Sequence, residues 1–471
     1  MMIRYYLPIL ITALSVCISG CVQFESQPLD LGCSAEVLKS RSLADPELLK
    51  FLSNAFPGSS FTGTNRIWTL DELTAAALYL NPSIDLARRR ADVAKADILR
   101  AAERPNPSVS VTPGYNASTP DPSPWLFNLG FILPIETGGK REYRTAEAQH
   151  RAEAERLRIA SDAWQVRQAV REALLDVADA QETAEFEAAV VTANETLCAA
   201  LERQRLAGEC SRLDLSQAQV SLHRARLAAS LSIARRTQAV ARLAAAMGLP
   251  ASVLEQASFR FPYEILQAPD AADARRAALT GRADVLAALK DYEASQSALQ
   301  LAIAGQYPDF EIGPGYEYDQ GDDKWSLGIS HPLPLFNQNK GAIAKAFAQR
   351  EEASASVRTL QSRIAGEIEQ ALAAIRAAES RAAVAAALLK STVDRISVIE
   401  DMQKAGEVKT LDVLLARSEV ASAKLDAYTV QMEKRRAFGK LEDALQRPAT
   451  LPETLWSKPE TITRKRGDKT K

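Results

Sequence analysis

The chain has 471 residues, 57 basic against 59 acidic side chains, and only 6% aromatics. Long stretches of Ala, Leu, Arg, Glu and Gln describe extended helix or coiled coil rather than two or three compact domains. A net charge of -2 excludes a global field suited to nucleic acid or to an acidic substrate.

At the start, Arg4 supplies a positive charge, Tyr5 to Ile18 is almost wholly apolar, and Ser19-Gly20 precede Cys21. The apolar run is too short to span a bilayer, and its position marks an export signal. Small residues directly before a cysteine match the bacterial lipobox, whose thiol is acylated and becomes the mature N-terminus. Residues 1–20 are therefore read as a lipoprotein signal peptide and Cys21 as the lipidation site. Residues 21–68 hold Gly, Ser and Pro without clear periodicity, which predicts a lipidated tether. One acyl-bearing residue is only part of a stable anchor, so a second membrane contact is expected. Cys17 leaves with the signal, and the remaining Cys33, Cys198 and Cys210 give no disulfide framework.

Residues 69–250 read as a first structural repeat: a helix over about 70–104, a strand hairpin over 107–135 and a helical hairpin over 140–248. A linker follows at 251–269. The second repeat, 270–447, has a helix over about 272–306, a strand hairpin over 308–335 and a helical hairpin over 340–446. Residues 448–471, ending in a basic TRKRGDKTK, form a partly disordered tail.

The strands carry the clearest duplication. NPSVSVTPGYN at 106–116 and YPDFEIGPGYE at 307–317 are one short strand written twice, each followed by a second strand anchored on Trp125 or Trp325. Tyr115 and Tyr316 lie 201 positions apart and the tryptophans 200, so only the connecting loop changed length. In 125–133 the odd positions are Trp, Phe, Leu, Phe and Leu, and in 325–333 they are Trp, Leu, Ile, His and Leu. Period two puts the apolar set on one face, with Glu311 and Glu317 on the other. Trp125, Trp325, Tyr115 and Tyr316 suit a membrane interface. No apolar run after the signal reaches the length of a membrane helix, so any span must be strands in a closed barrel. A soluble half-buried sheet is the competing reading.

From about Lys140 to Leu206 and from Lys340 to Lys404 there is no Pro, and apolar residues recur at three and four spacing. At 1.5 Å per residue each helix would be roughly 100 Å long. Both end in a matching break, Ala207-Gly208-Glu209 and Ala405-Gly406-Glu407, followed by Leu213-Asp214 and Leu411-Asp412. Gly208 and Gly406 suit helix C-termini. Asp214 and Asp412 sit in the first turn of the returning helices, where the helix dipole favours an anion. That helix-start role and a pore-tip role are both open for these two acids.

Together the lipobox, the duplicated unit, Asn81-Pro82-Ser83, the Arg104-Pro105-Asn106-Pro107 strand entry and the paired Ala-Gly-Glu…Leu-Asp tips resemble the TolC-type outer-membrane efflux proteins. Ile135-Glu136-Thr137-Gly138-Gly139-Lys140-Arg141 is similar to the cation-efflux branch that includes CzcC. The resemblance implies a fold that is mainly α with a membrane β-barrel part. Four strands per chain would complete a 12-stranded barrel in a homotrimer, and long antiparallel coiled-coil helices would form a periplasmic tunnel. It further implies a passive exit duct, not an enzyme, in the outer-membrane lipid, with a periplasmic membrane-fusion adaptor and an inner-membrane RND pump as partners. Heavy-metal cations are the implied cargo, with drugs or secreted protein as the alternative.

The tips at Gly208, Glu209, Gly406 and Glu407 would meet the adaptor, Asp412 and Asp214 would constrict the pore, and Glu311 and Glu317 would line the barrel lumen. Well-known members carry two tip acids as Asp-Val-x-Asp. Here Asp412-Val413-Leu414 is followed by Leu415, so only the first acid is kept. No cofactor, nucleic-acid partner or metal ligand set is expected, since His150, His223 and His331 are widely separated. An enzyme reading lacks GxSxG, HExxH, CxxC and a phosphate loop. A structural coiled-coil lipoprotein without a pore would explain the helices and the acylated cysteine but not the hairpins.

Overall fold

The computed structural model describes residues 24–57, 61, 66–118, 123–255, 257–261 and 271–446. Cys21, the signal segment and the C-terminal tail lie outside the described residues. Met1–Arg41 and Ser42–Lys471 form two units. In the first, Asp30 caps α1 (Leu31–Lys39), which buries none of its residues.

The second unit opens with α2 (Pro46–Ala55), capped by Asp45. It continues in chain order through β1 (Ile67–Thr69), α3 (Leu70–Leu80), α4 (Pro82–Ala102), β2 (Ser108–Tyr115), β3 (Trp125–Ile135), α5 (Lys140–Leu206) and α6 (Arg212–Met247). Then come α7 (Ala251–Leu254), β4 (Ser258–Arg260), α8 (Ala271–Gly281), α9 (Ala283–Ala304), β5 (Phe310–Asp319), β6 (Asp322–Ser330), α10 (Lys340–Lys404) and α11 (Thr410–Leu445). The chain is mainly helical with few strands, and no described helix is long and apolar enough to cross a membrane.

Part of the expected tether is core. Leu48 and Leu52 of α2 are fully buried, and with Leu43 they join α3, the middle of α5 and the end of α6 in the larger apolar cluster. Two buried leucines in a ten-residue helix give too short a period to stand out from sequence. The linker is likewise structured in part: β4 pairs in parallel with β1, Trp68 opposite Phe259.

The helices expected as single runs ahead of each strand hairpin are broken. Asn81 is extended (φ -69°, ψ 124°), accepts from the Ser83 amide at 2.9 Å and is followed by Pro82, which has no N–H to continue α3. Its side-chain amide also donates to the Ala246 carbonyl at 2.8 Å, pinning the break to the end of α6. At the second break Arg282 is extended and donates to the Ala444 carbonyl at 2.7 Å near the end of α11. The two joints serve the same purpose with different side chains. Asn81 is neutral, whereas Arg282 is buried and held by Asp284 at 2.7 Å and Glu367 at 3.3 Å.

α5 packs along α6, and α10 along α11. At 67 and 65 residues, α5 and α10 extend for roughly 100 Å each. Both begin in the left-handed region, at Gly139 (φ 71°) and Asn339 (φ 58°). A second apolar cluster joins Ile364, Ile368, Ala371, Ile375 and Ala378 of α10 to Ala437, Leu441 and Ala444 of α11.

Candidate functional site: the apolar sheet and the helical tips

The two strand hairpins are not separate. β3 pairs antiparallel with β5, giving one four-stranded sheet in the order β2-β3-β5-β6. Residues directly opposite in an antiparallel pair point to the same side. The register sets Val111 beside Leu129, Leu129 beside Tyr316 and Tyr316 beside Trp325. One face therefore runs unbroken across all four strands through Val109, Val111, Tyr115, Trp125, Phe127, Leu129, Phe131, Ile312, Tyr316, Leu327 and Ile329. Its exposed members include Trp325 at 82%, Ile329 at 71% and Val109 at 64%. Tyr115 packs edge-on against Trp125 at 5.1 Å, and Tyr316 packs tilted against Trp325 at 5.0 Å, both at the turn end of the sheet. Glu311 and Glu317 fall on the opposite face, Glu317 between Asn128 and Lys324 and Glu311 between Pro134 and Ser330. The expected second strand of the later hairpin is cut short: β6 ends at Ser330, and His331 to Phe336 are exposed without strand pairing. β5 starts at Phe310, which the register would set opposite His331, so residues beyond His331 have no strand of this chain opposite them.

The Glu136-Thr137-Gly138-Gly139-Lys140 turn locks the sheet to the helices. The Thr137 amide and Lys140 Nζ each donate to Asp309 at 2.8 Å, just ahead of β5. Arg144 holds Glu136 at 2.8 Å and donates to the Ala101 carbonyl at 2.8 Å, at the end of α4. Gly138 (φ 65°) lies against the Ala304 carbonyl, where a Cβ would sit at 3.3 Å.

At the far ends of the helices both tips are built alike. Gly208 (φ 77°) donates to the Arg205 carbonyl and Glu209 to Gln204, while Gly406 (φ 79°) donates to Gln403 and Glu407 to Met402. This pairing of a 6→1 with a 5→2 bond is the Schellman ending. Nothing lies within 4 Å of where a Cβ at either glycine would stand, and Glu209 and Glu407 are exposed. Asp214 completes a full capping box, accepting from the Ser211 amide at 3.2 Å while Ser211 Oγ accepts from its amide at 3.1 Å. Asp412 makes half of one, accepting from the Lys409 amide at 3.0 Å, since a lysine side chain cannot accept in return. Both acids are exposed and serve as helix-start groups. Leu411 and Leu414 pack against Leu197, Leu201 and Leu215, so the two tips share one small apolar cluster.

Sequence reasoning missed a buried charge cluster between α5 and α11. Arg167 and Arg171 are 0% and 3% exposed and pair with Glu442 at 2.6 Å and Asp443 at 2.5 Å. Gly439 makes room for Arg171: a Cβ there would meet its Nη1 at 1.8 Å. Burial pushes the Asp443 carboxyl up to about 6 despite the attraction of Arg171. The spacing of Arg167 and Arg171 on one helix face was visible, but nothing local named partners some 270 residues away. His150 pairs with Glu293 at 3.1 Å, and among the described residues no group of His, Cys, Asp or Glu could hold a metal ion. The cysteines Cys33, Cys198 and Cys210 are free.

A family profile described as outer membrane efflux protein matches residues 73–249 and 274–445. The cobalt-zinc-cadmium resistance protein CzcC of Cupriavidus metallidurans is 24% identical over 364 residues, 76% of this chain and 85% of that protein. Among solved structures, the outer membrane protein VceC of Vibrio cholerae matches with a TM-score of 0.65 at 21% identity, covering 80% of this chain and 95% of its own. CusC, described through its folding and transmembrane channel formation, matches with a TM-score of 0.65 at 15% identity over 90% of this chain and 98% of its own. With the profile spanning both helix–sheet–helix segments, the chain belongs to the outer membrane efflux protein family.

Proposed function

We propose that the chain is the outer-membrane exit duct of a tripartite RND-type efflux system, conducting cargo passively and catalysing nothing. The observation that carries this is the four-stranded sheet with one continuous exposed apolar face and two unpaired edges, β2 and β6. In water that face forgoes about 1.5–3 kcal/mol for each large side chain left unburied. In a bilayer the apolar face is satisfied, but each free edge group costs several kcal/mol, so the sheet must close. Four strands are too few for a barrel, and three copies give twelve. The matching offsets of the two halves support an internal two-fold repeat, and the long α5–α6 and α10–α11 hairpins would form the periplasmic tunnel.

On this reading Tyr115, Trp125, Tyr316 and Trp325 form an interfacial girdle, and Glu311 and Glu317 face the lumen. The open glycine tips, Gly208-Glu209 and Gly406-Glu407, dock the periplasmic adaptor. Acylated Cys21 adds the lipid anchor. Heavy-metal cations are the cargo, supported by the likeness to CzcC, whose name specifies cobalt, zinc and cadmium. Asp412 and Asp214 would narrow the tip in addition to capping their helices.

Two assays test this. Alkaline carbonate should leave the protein in the membrane pellet, and release into the supernatant would return it to a coiled-coil lipoprotein. A deletion strain should lose growth on graded cobalt, zinc and cadmium. Normal growth there with new antibiotic sensitivity would keep the duct and replace the cargo.

A further inference from the structure

The two strand hairpins obey a translation rule that the structure itself checks. Moving β2 forward 201 positions and β3 forward 200 turns Tyr115↔Trp125 into Tyr316↔Trp325, and Val111↔Leu129 into Ile312↔Ile329, which are the observed pairs. The rule therefore maps the β2·β3 ladder onto the β5·β6 ladder without slippage. Applied to the remaining ladder, β3·β5, it generates a contact that one chain cannot make, between β6 and a β2 strand. Leu133↔Ile312 becomes Leu333↔Val111, Ile135↔Phe310 becomes Leu335↔Val109, and Leu129↔Tyr316 becomes Ile329↔Tyr115.

We propose that His331 to Leu335 is the missing end of β6 and pairs antiparallel with β2 of a second copy in this register, forming the seam between subunits. The proposal rests on the closed-barrel reading and fixes how that barrel closes.

Three observations support it. Both strands are edges, so their outward N–H and C=O groups have no ladder in one chain. The side chains to be joined are strongly exposed in one chain: Leu333 at 71%, Leu335 at 72%, Ile329 at 71%, Val109 at 64% and Val111 at 57%. In this register all of them land on the apolar face, continuous with the one described above. A slip of one position would set Leu333 beside Ser110 or Thr112 and turn its apolar set to the polar side. The prolines agree as well. Pro334 falls where Pro134 stands opposite Glu311 in the observed β3·β5 ladder, and Pro113 falls where Pro314 stands, at the point where that ladder skips two positions, so a missing N–H is already accommodated at both. One difference is informative. The observed joint is flanked by the Lys140–Asp309 ion pair, whereas the same shifts place exposed Lys340 beside Ser108, which has no charge to offer.

Cysteine pairs in the full-length lipoprotein test the register, with Cys33, Cys198 and Cys210 replaced by serine and membranes oxidised before non-reducing gels. Leu133→Cys with Ile312→Cys, opposite each other within one chain, is the control and should lose maleimide labelling. Val111→Cys with Leu333→Cys should shift most of the chain into covalent multimers, whereas Tyr115→Cys with Leu333→Cys should stay mostly single. A positive control with linkage by the Tyr115 pair instead overturns the register but keeps the duct. A positive control with neither pair linked, and one chain per particle on native gels, overturns the seam and the closed barrel together. Ser108→Asp gives an independent readout. It should raise the temperature at which the assembly dissociates in detergent, and Lys340→Ala should abolish that gain. An unchanged dissociation temperature contradicts the seam.

Discussion

Replacing Gly439 by alanine tests the buried charge cluster through the sign of the effect. Gly439 lies inside α11, where helix propensity alone would make the alanine more stable by about 1 kcal/mol. The added Cβ would instead stand 1.8 Å from Arg171 Nη1 and 2.5 Å from Cζ. A guanidinium is the flexible end of its side chain, but this one is 3% exposed and fixed on Asp443 at 2.5 Å, so it can move only by giving up that pair. Losing one partner of a buried pair costs about 3–5 kcal/mol, because the other charge stays desolvated. Subtracting the propensity gain leaves a net loss of about 2–4 kcal/mol. The assay is helical circular dichroism on purified protein in detergent at pH 7.5, followed through chemical denaturation. A melt midpoint well below the parent's is expected, with Gly439→Ser equally impaired. A more stable alanine variant would show that Arg171 relocates freely and that the cluster holds nothing in place.

Four further outcomes follow from named groups. The Asp443 carboxyl titrates near 6 in the fold against an ordinary 3.8, so the native state holds the extra proton between those values. Stability should then fall by up to about 3 kcal/mol as pH rises from 4 to 7, and Asp443→Asn should flatten that slope in denaturation curves. Asp214→Ala should cost about 1 kcal/mol in the same denaturation assay, and Asp412→Ala less, because only the first completes a capping box. In planar bilayers Asp412→Ala should raise single-channel conductance; unchanged conductance would confine the residue to its helix-start role. Leu129→Arg should cost about 2–4 kcal/mol on the lipid side and sharply lower membrane yield, while Asn128→Arg on the opposite face should insert normally.

Much of the fold was legible because its signals are long or duplicated. The helices α5 and α10 run without proline for more than sixty residues each, and the sheet writes its alternation twice around a tryptophan. The Schellman tips were legible from glycine followed by a matched Leu-Asp. Three features were not. The helix α2 offers two buried leucines in ten residues, too little period to separate from a polar linker. The break at Arg282 has no proline and depends on the carbonyl at Ala444, which only the folded returning helix supplies, whereas at Asn81-Pro82 the stop is local and only its tie to Ala246 is out of reach of the sequence. The β3·β5 pairing that merges the hairpins is a contact across nearly two hundred residues, set by apolar register rather than by any turn. The pore-tip acids are a separate case. Sequence left Asp214 and Asp412 between two roles, and the capping bonds establish the helix-start role for both.

The most direct measurement is electrical. Purified protein added to one side of a planar lipid bilayer should insert and give discrete, uniform conductance steps, because on the proposed reading the apolar face meets lipid only once its edges have joined into a cylinder. A silent bilayer that nevertheless retains the bound protein would contradict the duct, leaving a helical protein that sits on the membrane without opening it.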